Sequence, residues 1–306
     1  MNAVKKSRRL ALTLGSLLAV LALAIAQIIP AQAGGSVQVG ARGFTEEEIA
    51  GYLYGDILKD HGLAVTVNEG FGSEDSIFTA LKTGAVNLAP DYLGNGLVDL
   101  NKIYKPGRSV SQVQATVNKA FAKYHLELLT PSAKFNDTNL FVTTKAISKK
   151  YGLHTLSDLA RLAPKLSIEV LQECTTRTDC LLGFDQVYHP KKFKTAADPA
   201  GPTNPGNQPF YDDLLSGKFT VVQGYGYTDP QISKYHLVPL KDNKGMFPPD
   251  NMTPFISTAL AKNKNLVKWL NKLSTALTNS NFRAMDASPN PPQQVADAFL
   301  KAHHLN

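Results

Sequence analysis

The chain has 306 residues and a formal net charge of +7. Its basic residues are dispersed among acids, with Lys149-Lys150 and Lys191-Lys192-Lys194 the densest groups. That is too sparse to track a phosphate backbone, which argues against a nucleic-acid partner, while the length suits two lobes of ordinary domain size.

Residues 1–33 carry the pattern of an export signal: Lys5, Lys6, Arg8 and Arg9, an apolar run from Leu10 to Ile29, then Ala31-Gln32-Ala33 as a small-residue cleavage site. The run is long enough to span a bilayer, so a retained anchor is the competing reading; Pro30 and the Ala-x-Ala pattern favour cleavage before Gly34. Removing those four positive charges leaves +3 of the +7. No cysteine stands near the cleavage site to carry a lipid anchor. The expectation is a free periplasmic protein.

Val37-Gln38-Val39 predicts a first strand, Gly40 and Gly43 a tight turn, and Thr45 with Glu48 a capping box ahead of Ile49, Leu53 and Ile57. This turn aims backbone N–H groups and the Arg42 guanidinium at a common point where an anion could sit. The plainer alternative is an ordinary strand-to-helix turn with a surface arginine. Further strands are predicted at Ala64 to Val67, Val86 to Ala89 and Leu126 to Leu129, with helices from Thr45 to about Lys59, Ser73 to Lys82 and Ser111 to Lys123.

After Pro131 the pattern starts afresh with a strand over Leu140 to Thr144, a helix opening at Thr155 with Asp158 in its capping box, a strand over Leu166 to Leu171 and a helix near Asp179 to Tyr188. Between the last two lie the chain's only cysteines, Cys174 and Cys180. In an exported protein they predict a disulfide that closes a small loop with Arg177 at its tip. That loop is either a gripping ring for a ligand or a surface staple.

The proline-rich stretch from Ala196 to Pro209 reads as a loop, Lys218 to Gln223 and Leu237 to Leu240 as strands, and Met246-Phe247-Pro248-Pro249 as the place where the chain returns to the first lobe. Leu266, Leu270, Leu273 and Leu277 mark one face of a tail helix, and Pro291-Pro292 starts another that carries Val295 and Phe299. Trp269 is read as packing. The resulting expectation is an α/β protein of two lobes, 34–133 plus 248–306 and 134–247, each a largely parallel sheet flanked by helices, joined by two crossings that act as a hinge.

Enzyme motifs are absent: no Gly-x-Ser-x-Gly elbow, His-Glu-x-x-His helix, Walker loop or dinucleotide glycine set occurs. The seven histidines are scattered without ligand spacing, and Asp212-Asp213 reads as a solvated helix face. Neither a cofactor nor a metal is expected, although a periplasmic enzyme on the same scaffold stays open as an alternative.

Several ordered segments carry a resemblance. They are Gly40-Ala41-Arg42-Gly43-Phe44-Thr45-Glu46, Ala80 to Gly84 followed by Pro90 to Gly94, Asn136 to Phe141, Thr155 to Leu159, Arg177-Thr178-Asp179, Tyr227-Thr228-Asp229 and Phe247-Pro248-Pro249. From about Val37 to Leu305 the chain resembles the glycine betaine/choline/carnitine substrate-binding proteins of osmoprotectant ABC importers. The resemblance implies a type II-like periplasmic binding protein clamp, no catalysis, a small-molecule solute, an inner-membrane ABC permease as partner, and action as a monomer.

In that family a tyrosine cage holds a quaternary ammonium and a basic residue from each lobe holds a carboxylate. Carried over by position, the basic pair falls on Arg42 and Arg177, the first cage tyrosine on Tyr92, and the small polar residue after it on Asn95. The remaining cage positions depart from the pattern: they fall on Asn139, on Gly226 flanked by Tyr225 and Tyr227, and on Asp250. Each lost aromatic face removes about 0.5–2 kcal/mol of cation binding. The implied solute is therefore a polar zwitterion, betaine-derived or amino-acid-like, with N–H or O–H groups for Asn139 and Asp250. A register slip that lets Tyr225 or Tyr227 refill the cage would instead restore a true betaine binder.

Overall fold

A computed structural model describes residues 36–98, 100, 104–105, 107–197, 209–224 and 226–306. The first sheet is built from β1 (Val37–Arg42), β2 (Val65–Phe71), β3 (Leu88–Tyr92), β4 (Leu126–Leu128) and β10 (Met252–Ser257), in the order β2-β1-β3-β10-β4. The second holds β5 (Leu140–Thr143), β6 (Ser167–Glu169), β7 (Thr195–Ala197), β8 (Val221–Gly224) and β9 (Val238–Pro239), in the order β7-β6-β8-β5-β9.

The two orders follow one plan. In each sheet the fourth position belongs to the strand on which the chain arrives from the other sheet, β10 in the first and β5 in the second, and that strand runs antiparallel to its neighbours. The remaining strand pairs are parallel. The chain crosses between β4 and β5 and returns between β9 and β10. Those crossings are tied together, since Asp137 N–H donates to the Asp250 carbonyl at 3.0 Å and Asp250 N–H to Asn136 Oδ1 at 2.6 Å.

Both sheets are covered on both faces, as largely parallel sheets require. In β5, Phe141 faces one core with Ile168, Phe184 and Val221, while Leu140 and Val142 face another with Phe210, Tyr211 and Val222, the period-2 alternation of a strand. Over the first sheet, Val37 and Val39 pack with α1 (Thr45–Asp60) and the C-terminal helices, here labelled by position as Lys264–Ala276, Asn279–Asp286 and Pro292–Ala302. The Tyr54 hydroxyl and Ser274 Oγ, 2.8 Å apart, join α1 to the first of these. Its other face packs Ile77, Phe78, Val113, Val117, Phe121 and Phe255. Trp269 packs against the first core and meets the His61 ring at 4.0 Å, in keeping with its reading as a packing residue.

Capping boxes form where Ser73, Ser109 and Thr155 open their helices, the last with Asp158 as expected. The box expected at Thr45 and Glu48 does not form: α1 is capped by Phe44 with no side-chain bond. Thr45 is already helical there, and the acids of the first turn, Glu46 and Glu47, are turned inward to buried partners. Strand β10, which has no counterpart among the predicted strands, begins directly after Pro248-Pro249-Asp250-Asn251, and β3 runs on to Tyr92, three residues beyond its expected end. Of the predicted loop over Ala196 to Pro209, residues 198–208 lie outside the described residues; Ala196 and Ala197 end β7 and Pro209 begins a helix.

Candidate functional site

Arg42 ends β1, Tyr92 ends β3 and Gly224 ends β8, so the turns that follow these strands meet where ligands bind in open α/β sheets, beyond the carboxyl ends of the strands. Arg42 is surrounded by acids: its guanidinium donates to Glu47 Oε1 at 2.8 Å and Glu74 Oε2 at 2.7 Å, with Asp91 Oδ1 at 3.6 Å. Burial works against its charge, but Glu47, Glu74 and Asp91 outweigh that and hold its pKa well above the ordinary arginine value.

Asn95 sits at the junction of the lobes. Its Nδ2 donates to Glu74 Oε2 at 2.7 Å and Asp91 Oδ1 at 2.8 Å, and its Oδ1 accepts from Arg177 Nη2 at 3.2 Å. Arg177 comes from the loop closed by the Cys174–Cys180 disulfide, which forms as expected. Its Nε and Nη2 fork onto the two Asp179 oxygens at 2.9 and 2.6 Å, and Glu173 stands 3.7 Å from Nη1. Burial opposes this charge too, and Asp179 overrides it, so the guanidinium stays protonated far above the ordinary value. Asn139 Nδ2 donates to the same carboxylate at 3.0 Å.

Tyr92 donates its hydroxyl to Glu46 Oε1, while its ring lies 5.6 Å from the Arg42 guanidinium carbon and stacks on Phe135 with centroids 6.3 Å apart. Asp250 accepts the Gly94 N–H at 2.7 Å. Burial, with the Asp179 charge behind it, pushes Asp250 up to about 8. Tyr227 is 38% exposed and its carbonyl accepts from Arg283 at 2.6 Å. Tyr225 lies outside the described residues.

The structure thus brings Arg42, Tyr92, Asn95, Asn139, Arg177 and Asp250 into one hydrogen-bonded district and leaves the Tyr227 side chain at its exposed margin. It also brings in residues to which the sequence reading gave no role. Thr228 of the second lobe donates its hydroxyl to Glu46 Oε2 at 2.6 Å and its N–H to Asp137 Oδ1 at 2.7 Å. Burial, reinforced by Asp137, raises Glu46 well above the usual carboxylate range, and burial raises Asp137 to about 7. Gly226 is required beside them: its φ is +128°, and a Cβ there would stand 2.0 Å from Asp137 Oδ2. Glu46, Asp137, Asp179 and Thr228 all lie inside the segments that carry the family resemblance, which was the signal available for them.

Comparisons with known proteins place this geometry. The family described as the substrate binding domain of ABC-type glycine betaine transport systems matches residues 35–302. A carnitine transport binding protein of Listeria monocytogenes is 26% identical over 280 residues, covering 88% of this chain and 87% of its own. A glycine-betaine-binding protein of Pseudomonas aeruginosa is 24% identical over 288 residues, covering 88% of each. A crystal structure titled as a glycine betaine/carnitine/choline ABC transporter superposes with a TM-score of 0.71 at 26% identity, covering 88% of this chain and 99% of that one. The two sheets, with their shared strand order, are the type II periplasmic binding protein clamp of these structures. The chain belongs to the family of substrate-binding domains of ABC-type glycine betaine transport systems.

Proposed function

We propose that this substrate-binding protein is exported by a cleaved signal peptide, works as a periplasmic monomer, and captures a small polar solute, betaine-derived or amino-acid-like, between lobes 34–133 plus 248–306 and 134–247. It passes the solute unaltered to an ABC permease at the inner membrane. The observation that carries the reading is the polar seam between the lobes, where Arg177 meets Asn95 and Thr228 meets Glu46. A hinged clamp can close around a solute through such hydrogen bonds with backbone change confined to its crossings. In this reading Arg42, Tyr92, Asn95, Asn139, Arg177 and Asp250 contact the solute, with Tyr225 and Tyr227 at its edge.

A second reading, a true carnitine or betaine binder with a rearranged cage, is favoured by the names of the two relatives. Thermal melting of the purified exported protein against betaines, choline, carnitine, amino acids and amines separates the two. A solute at a hundredfold excess over its dissociation constant adds about 2.7 kcal/mol of stability. Shifts with trimethylammonium compounds support the second reading, shifts confined to N–H-bearing solutes support the first, and silence across the whole panel refutes both.

A further inference from the structure

The charges of the seam do not balance. Arg42 is matched by Glu47, Glu74 and Asp91, and Arg177 by Asp179 and Glu173. A carboxylate arriving from a solute would have to displace one of these acids, so neither arginine is an open anion site. Beyond those five acids lie three more, Glu46, Asp137 and Asp250, only 7%, 6% and 4% exposed, and none of them forms an ion pair among the described residues. Buried carboxylates without a cation are costly to keep ionised.

Their hydrogen bonds show which of them has capacity left. Glu46 accepts at both oxygens, from Tyr92 and Thr228; Asp137 accepts the Thr228 N–H at Oδ1, and its Oδ2 is packed against Gly226, where a Cβ would stand 2.0 Å from it. Asp250 accepts only the Gly94 N–H at Oδ1; its Oδ2 has no hydrogen-bond partner among the described residues. It stands on the return crossing, tied to the other crossing through Asp137 and Asn136, and feels the charges of Asp179 and Arg177 from one lobe and Asp91 from the other. An acceptor at the hinge between lobes is thus left open.

We infer that the solute is an N–H-bearing cation, an amine, amidine or guanidine, that donates to Asp250 with Glu46 and Asp137 supplying the remaining negative field, and that a carboxylate on the solute is dispensable. A quaternary ammonium has no proton to give Asp250, and the Tyr92 ring that could receive it is already met by Arg42 and Phe135. A metal ion fits poorly, since among the described residues no three carboxylate, histidine or cysteine side chains gather in a metal-binding group. Because Thr228 bonds both Glu46 and Asp137, a cation drawn to these acids is also drawn to the second-lobe loop that carries Thr228.

This inference rests on the receptor reading, and four probes test it separately: agmatine and putrescine, which are N–H cations without a carboxylate; choline, a cation without N–H; and glycine betaine. Calorimetry on the purified protein should show agmatine or putrescine binding at least tenfold more tightly than choline and betaine. Asp250→Asn, which keeps an acceptor for Gly94, should weaken that binding at least tenfold; Glu46→Gln serves as the second variant should the first not fold. Tighter binding of choline or betaine, or amine binding unaffected by the substitution, overturns the inference and leaves the receptor reading standing. Silence with all four probes also overturns it, and the receptor reading falls as well only if the wider melting panel is silent.

Discussion

Thr228 reaches from the second lobe to the Glu46 carboxylate of the first at 2.6 Å, completing an acid rooted in the first turn of α1. The neighbouring Thr228 N–H is held by Asp137 on the first crossing at 2.7 Å. One residue therefore connects a lobe, its partner and the hinge.

Thr228→Val keeps the shape of this residue and removes its hydroxyl. The buried Glu46 oxygen then loses its donor, a loss of about 1–3 kcal/mol. Solute affinity measured by calorimetry should fall about tenfold, with small-angle scattering shifted toward a more open molecule. Unchanged affinity and scattering would show that this bond does not govern closure.

Arg177→Ala removes the fork on Asp179 and the bond to Asn95. An acid left buried without its cation typically costs about 3–5 kcal/mol, so chemical denaturation should register a large loss of stability. Solute affinity should fall at least tenfold. Arg177→Ala/Asp179→Asn should recover much of the stability without the affinity; recovery of both would remove Arg177 from solute binding.

Cys174 and Cys180 are both buried, and their disulfide closes the loop that presents Arg177. Cys174→Ser/Cys180→Ser should lower stability by about 2 kcal/mol, the loop-closure value for so short a ring, which is several degrees of melting temperature in a chain of this size. It should also weaken solute binding, because the guanidinium must then be ordered at each encounter. Equal melting curves with and without reductant would contradict this.

The raised carboxylates make a pH prediction. In the folded protein burial, aided by Asp179 and Asp91 and opposed by the Gly94 N–H and Arg177, raises Asp250 to about 8, while burial raises Asp137 to about 7. In the unfolded chain both titrate near 4, so the native state binds more protons across the interval between. Their stabilising contribution is full below about pH 4 and is lost as pH rises through the folded values. Melting temperature should decline from pH 5 to pH 8, less steeply in Asp250→Asn; a rise, or an identical slope in the variant, would refute the assignment. An N–H cation should show the opposite trend, binding more tightly as Asp250 ionises.

Local patterns were enough for much of the architecture. The apolar strand run from Leu140, the capping box at Thr155, the helical spacing of Leu266, Leu270 and Leu273, and the pairing of Cys174 with Cys180 are short-range properties, legible because they repeat at the period of the element or lie close together in the chain. The ordered motifs from Gly40 to Pro249 also located the residues that assemble between the lobes. Strand β10 and the inward turn of Glu46 escaped because their partners lie far away along the chain.

Charge matching could not be read from the residues in line. Arg42 is expected from the sequence as an anion grip; its neighbours Glu74 and Asp91 are distant in the sequence, and folding places both beside its guanidinium. Likewise Asp250 looked like an isolated selector until the crossings set it beside Gly94 and within the field of Asp179. Residue types state which charges a chain owns; the folded backbone sets the separations, and with them the burial and pairing, on which each charge's interactions depend.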